Sequence, residues 1–365
     1  MSALHVWDEP FEVERTHKSA RDHLLNLSSN ELLHPDLTNL FQDLLAAFHP
    51  NLVTTYPTYI ATLEQLAAHC KVDPTHLVLS SGSDDAIRLV IGSLATRSGR
   101  LILQVPNYDG WARHAMLQRV KIIPIRFGED ISDRFSIDQF DRTIQASQPT
   151  VVAISNPNGP TGYSFNADDL ASLSELCARH GHLLVIDECY AAFSNSYCDL
   201  STSHQDHVIR IESFSKSYGL AGARIACIKA SPFIADYLSR FRPEYSTSGP
   251  SLMLLRAALD REQVFQRIRA EVMASSKKLI STVACIRPHW KAIASSANFI
   301  NFRTSGPAEA LHVTQQLLAR QIRIRNTSDE IGLNGCVRTT LCHPTLHKLL
   351  IDSLRTIELF SHLDR

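Results

Sequence analysis

The 365-residue chain carries 36 Lys and Arg against 37 Asp and Glu, a formal charge of −1, with 44% hydrophobic and 20% charged residues. This balance offers no general attraction to nucleic acid or an anionic membrane, and the length suffices for a large core or two domains. No apolar run could span a bilayer, no basic-then-apolar leader opens the chain, and the eight cysteines show neither CxxC nor zinc-ligand spacing, which predicts reduced thiols, no metal site and a cytoplasmic protein.

In chain order, residues 59–71 read as an amphipathic helix and His76–Leu79 as a short strand. Asp84–Ala95 reads as a helix opening on SSGSD, Arg100–Val105 as a strand and Trp111–Gln118 as a helix. Val120–Phe127, Val151–Ile154, Leu183–Ile186 and Val208–Ile211 read as strands, and Ala167–His180 as a helix capped at Gly181. Alternating βα units predict an α/β domain with a mostly parallel sheet covered on both faces. Ser251–Ala284 then reads as one long helix, leading to a smaller α+β domain with strands at Asn298–Arg303 and Gln321–Arg325. The expected division is an N-terminal segment 1–45 packing on the small domain, a large domain 46–250, and a C-terminal domain 251–365.

Sites in such sheets lie beyond the carboxyl ends of the strands. There the chain places Ser80-Ser81-Gly82-Ser83-Asp84, Pro106-Asn107-Tyr108-Asp109, the loop SNPNGPTG (155–162), Asp187-Glu188-Cys189-Tyr190, and a segment from Glu212 to Arg224 that contains Ser213, Ser215 and Lys216. Two of these are anion-binding in type: hydroxyls ahead of a helix N-terminus, and a Ser-Lys-Arg cluster. Such tripeptides are individually ordinary caps; five loops at one sheet edge carrying complementary groups point to a site.

SFSKSYGLAGAR resembles the cofactor-lysine motif of fold-type I pyridoxal-phosphate (PLP) enzymes, and NPNGPTG resembles the NPNNPTG of their class I/II aminotransferases, nearest the histidinol-phosphate aminotransferase-like branch. LSSNE (27–31), TYP (55–57), SGSDD (81–85), PNYDGW (106–111), DECY (187–190), SANF (296–299) and GCVR (335–338) extend the likeness in order along the chain. The resemblance implies pyridoxal 5'-phosphate as cofactor, with Lys216 forming the Schiff base and moving the substrate proton. It implies Asp187 against the pyridine nitrogen, Tyr108 stacked on the ring and Tyr190 donating to the phenolic oxygen. It assigns the phosphate to Arg224, Ser213, Ser215, Ser83 and the Asp84 amide, with Asn158 beside the cofactor. Tyr56 would reach the phosphate of a neighbouring subunit, implying a homodimer with shared sites. Arg338 would clamp the substrate carboxylate, a fork matched to two oxygens, with Asn30 and Asn298 bordering the substrate.

The chain departs from the family pattern in three places. Gly159 stands where the motif has an asparagine that donates to the phenolic oxygen, so that oxygen should hold the imine proton to higher pH unless Asn158 or water fills the gap. Ala226 replaces a glycine, and Cys342-His343 replace small residues, all expected near the site. Arg240, Arg242 and Tyr245 are candidates for side-chain binding. The leading expectation is an aminotransferase acting on an α-amino acid or related amine; the alternative is another PLP reaction on the same fold, such as decarboxylation, elimination, cyclisation or oxidation. A non-catalytic protein would be expected to lack Lys216 or Asp187.

Overall fold

The computed structural model describes residues 24–128, 135–194 and 205–358; residues 1–23, residues 359–365 and Cys198 lie outside these. A seven-stranded sheet runs, from edge to edge, Leu77–Ser80, Ala226–Lys229, Val208–Ser213, Leu183–Asp187, Val151–Ser155, Arg100–Val105, Lys121–Arg126. All neighbours are parallel except Ala226–Lys229, antiparallel to both of its own. This reversing strand escaped the sequence reading, because its four residues follow a glycine-rich loop with no pattern of their own. The other six strands therefore point the same way and deliver their ends to one edge.

The continuous apolar runs are explained by burial on both faces. Val151, Ala153, Val185 and Ile209 join one core, while Val152, Ile154, Leu184 and Ile186 join another. Asp187 and Ser213 end their strands; the flanking Glu188 and Glu212 enter a buried charge network. Arg210 Nε donates to Glu188 at 2.8 Å, and Lys229 Nζ lies 2.8 Å from Glu212 and 4.0 Å from Glu188.

A second, four-stranded antiparallel sheet runs Arg325–Asn326, Cys336–Thr340, Phe299–Arg303, Lys291–Ile293. The expected single strand at Gln321–Arg325 is split. Ile322–Arg323 pairs in parallel with Leu25–Asn26, while Arg325 and Asn326 pair with Arg338 and Val337; the buried Ile324 lies between them. The expected helix Ser251–Ala284 is two helices, Gly249–Leu259 and Glu262–Ile286. Side chains hold the break: Asp260 accepts from Gln65 at 2.7 Å, and Glu262 is engaged by Tyr218 and Arg269. The first helix thereby packs on Ile60–Cys70 and the second on Pro344–Thr356.

Lys229→Met leaves Glu212 and Glu188 without their shared ammonium, so the variant should lose about 3 kcal/mol of stability. Urea unfolding at fixed pH checks this. Combining it with Glu212→Gln should recover part of the loss.

Candidate active site

At the edge where the six strands end, a cavity of about 730 Å³ is lined by residues from both sheets. Ser83 and Asp84 reach its lining from the turn at Gly82, whose φ of 87° favours glycine and which precedes the helix Ser83–Val90. A Cβ on Gly82 would stand 2.6 Å from Nη2 of Arg224, so the guanidinium lies directly against this helix N-terminus. Ser213 ends its strand and accepts from the Ser215 amide at 3.3 Å, opening the short helix Phe214–Ser217 that carries Lys216. Helix amides, hydroxyls and a guanidinium at one spot make a cradle for a doubly charged phosphate.

Lys216 Nζ donates to the Ser29 carbonyl at 2.5 Å. Asp187 is 4% exposed. Burial pushes its carboxyl above the ordinary range, against hydrogen bonding from Cys189, whose amide donates to Oδ1 at 3.1 Å. A buried carboxylate held this way suits a cationic ring nitrogen. Tyr108 caps the helix Asp109–Leu117, remains 48% exposed and donates to Asp84 at 3.3 Å. His114, its Nε2 3.4 Å from Asp84 Oδ1, holds that carboxyl below its usual range. Tyr190 lies edge-on to Phe299, with ring centroids 5.4 Å apart, and its hydroxyl accepts from Asn30 Nδ2 at 2.8 Å. Arg338 donates to the Ser28 carbonyl at 3.0 Å and stands 4.9 Å from the Phe299 ring centre. Its buried Nε has no hydrogen-bond partner among the described residues, and burial lowers its pKa. An arginine so placed is poised for an anion.

The cavity brings together Lys216, Asp187, Tyr190, Tyr108, Ser83, Asp84, Ser213, Ser215, Arg224, Arg338 and Asn30. Three other candidates lie off it. Asn158 is fully buried; its amide donates to Gln104 Oε1 (3.1 Å) and the Pro106 carbonyl (3.0 Å), and its Oδ1 accepts from the Thr161 amide and hydroxyl. It clasps the loop, as Asn156 does by accepting from Phe165 and Ser164, and so has no donor left for the space at Gly159. Asn298 stands behind Asn30, donating to its carbonyl at 3.0 Å. Tyr56 is 78% exposed and stacks on Tyr245. Gly159 itself lines the cavity, and a Cβ there would meet Tyr190 Cε2 at 3.1 Å.

Ala226 and the Cys342-His343 pair, expected near the site, do not line the cavity; nor do Arg240, Arg242 and Tyr245. Ala226 is buried beside Ser80 and Ser213 in the sheet, and His343 packs edge-on to His34. His34, His343 and Glu271 offer ligand atoms within 4.8 Å of one another. The Asp36 amide donates to His34 Nδ1 at 3.2 Å, which puts the ring proton on Nε2, the atom 3.0 Å from Glu271. That nitrogen therefore offers no lone pair to a metal.

Sequence reading missed Ser28 and Ser29, whose carbonyls bear the contacts, and Arg113, Arg323 and Arg325, which also line the cavity. The alternation in Ile322-Arg323-Ile324-Arg325 was the available signal: period two puts both arginines on one side.

The family model for aminotransferase class I and II matches residues 22–352. A histidinol-phosphate aminotransferase from Chromobacterium violaceum is 30% identical over 281 residues, 76% of each chain. Another from Thermoanaerobacter sp. (strain X514) is 27% identical over 301 residues, 82% of this chain and 83% of its own. The fold is that of the histidinol-phosphate aminotransferase from Sinorhizobium meliloti in complex with pyridoxal-5'-phosphate (TM-score 0.78, 19% identity, 91% of this chain and 90% of that one).

The raised pKa of Asp187 has a sign that can be checked. The folded chain holds that proton to higher pH than the unfolded chain, so the cofactor-free protein loses stability as pH rises above about 4, where a free aspartate ionises. Asp187→Asn should flatten that part of the pH–stability curve. It should also raise the urea midpoint of the cofactor-free protein at pH 7; an unchanged or lower midpoint would show that the carboxylate is compensated in place.

Proposed function

The chain belongs to the class I and II aminotransferases and is a PLP-dependent aminotransferase of the histidinol-phosphate aminotransferase-like branch, and we propose that its substrate is a small amine bearing a second anionic group, with Lys216 as covalent anchor. The observation that carries the site assignment is the convergence of Lys216, Asp187 and Arg224 on one cavity from neighbouring strand ends. The cofactor supplies an aldehyde that captures amines and a ring that takes up electron density. Every other task falls to the chain.

Arg224, Ser213, Ser215, Ser83 and the Asp84 amide hold the phosphate against the helix N-terminus. Asp187 would hold a proton on the ring nitrogen, an ion pair that would offset the cost of burying its carboxylate. Tyr108 would cover the ring face, and Tyr190 would donate to the ring oxygen. The Lys216 amine would take and return the proton of the substrate carbon, and Arg338 would orient an anionic group of the substrate through its fork. Arg323 and Arg325 line the same cavity on the small-sheet side. They form a second cationic surface suited to the phosphate that the relatives' names give to their substrate.

Three further assignments belong to the same proposal. A homodimer with Tyr56 reaching into the partner's site accounts for the exposed apolar group Val53 (68%), Tyr56 and Ile60 (69%). Residues 46–250 serve as the cofactor-binding domain and residues 251–365 as the small domain, with the described part of the segment 1–45, from residue 24, packed on it. The setting is cytoplasmic; no helix among the described residues is long and apolar enough to cross a membrane.

Loaded enzyme mixed with a panel of amines and no second substrate should yield one equivalent of carbonyl product from its true donor. Release of carbon dioxide or ammonia in its place would move the assignment to another reaction of this cofactor. Arg325→Ala should raise KM for a phosphate-bearing amine about 10- to 100-fold, losing roughly the 1.5–3 kcal/mol of a charged hydrogen bond, with little change for the same amine lacking phosphate. Lys216→Ala should abolish the mass increase trapped by borohydride; full activity in that variant would sink the mechanism.

A further inference from the structure

Three successive residues of the N-terminal segment each touch a different functional side chain. The Ser28 carbonyl accepts from Arg338 at 3.0 Å, the Ser29 carbonyl accepts from Lys216 at 2.5 Å, and Asn30 Nδ2 donates to the Tyr190 hydroxyl at 2.8 Å. Asn30 is the most firmly held of the three. It is 2% exposed, with a left-handed φ of 57°. Its amide donates to Thr340 Oγ1 at 3.0 Å, and its carbonyl accepts from Asn298 at 3.0 Å. The Tyr190 ring is bounded by Phe299 and by the bare backbone of Gly159.

A phenolic hydroxyl has one proton to give. A donor fixed on its oxygen leaves that proton to point elsewhere, and polarises the O–H so that it donates more strongly. Tyr190, Asn30 and Gly159 all line the cavity. We propose that Asn30 is a positioning residue that aims the Tyr190 proton into the cavity at the cofactor's ring oxygen, and that Gly159 is small so that the ring can reach that place. The inference rests on the cofactor assignment above. It gives Gly159 a role of its own: a Cβ there would press on the edge of the Tyr190 ring at 3.1 Å.

The test is a spectrophotometric pH titration of full-length, PLP-loaded protein, following the visible band of the lysine-bound cofactor. A ring oxygen that loses its donor holds the neighbouring proton to higher pH. Asn30→Gly, which suits the left-handed φ, should therefore raise the titration midpoint by about 0.5–1 pH unit. Asn30→Asp keeps the size and tolerates this φ but offers the hydroxyl an acceptor, so its midpoint should rise further. Gly159→Ala should shift it in the same direction by displacing the ring. Tyr190→Phe should give the largest rise, and adding Asn30→Gly to it should change nothing. An unmoved midpoint in both Asn30 variants, or an Asn30→Gly shift that persists in the Tyr190→Phe background, would overturn the proposal. A visible band that survives Lys216→Ala would instead overturn the cofactor anchor, a separate failure.

Discussion

Burying the Asp187 carboxylate at the tip of a central strand opposes folding, and the site is arranged around that fact. The strand before it, Leu183–Ile186, is flanked on both sides by parallel neighbours and packed on both faces, so Asp187 cannot turn out to water without breaking the sheet. The hydrogen bond from the Cys189 amide offsets only part of the burial. In the proposed assignment a cationic ring nitrogen would supply the missing charge, which would make cofactor binding and stability two readings of one carboxylate. One residue further on, Glu188 is answered within the protein by Arg210. Adjacent carboxylates at one strand end thus differ: Glu188 is paired with a buried guanidinium, while Asp187 lines the cavity with only local hydrogen bonding to offset its burial.

The site also depends on how the two sheets are joined. The N-terminal segment crosses from Leu25–Asn26, paired with Ile322–Arg323, to Asn30 beside Tyr190. The loop 155–162 does the same from the other side, its Pro160 carbonyl accepting from Asn301 at 3.0 Å. Both links are made by hydrogen bonds to backbone carbonyls and buried amides, which fix position more sharply than apolar contact does. Arg338 and the pair Arg323 and Arg325 come from the small-sheet side, while Lys216 and Asp187 come from the large sheet. Any shift between the sheets would move these three arginines relative to the lysine.

Much of the large sheet was legible because its strands are short apolar runs ended by polar loops, and burial on both faces demands that composition. The cavity residues Ser83, Tyr108, Asp187 and Lys216 follow those runs closely, so their place at one edge was available from order alone. The asparagines were not. Asn30, Asn158 and Asn298 are one residue type in similar company, yet one faces the cavity, one clasps a loop and one braces the first. An amide can donate and accept in any of these settings, and only the partners supplied by distant segments choose among them. The break at Asp260–Arg261 was hidden for a related reason: its hydrogen-bond partners Gln65 and Tyr218 are remote in sequence.

By itself, then, the sequence determined the βα alternation, the strand edge that carries the chemistry and the lysine, aspartate and arginine suited to a phosphorylated cofactor, because local pattern and residue chemistry encode these. Tertiary structure alone decided that Ser28, Ser29 and Asn30 meet Arg338, Lys216 and Tyr190, that Arg323 and Arg325 join the cavity, and that Gly159 lies against the edge of a tyrosine ring. Those are contacts between segments up to about three hundred residues apart in the chain. Their geometry is set by packing of the two sheets, which no local pattern contains.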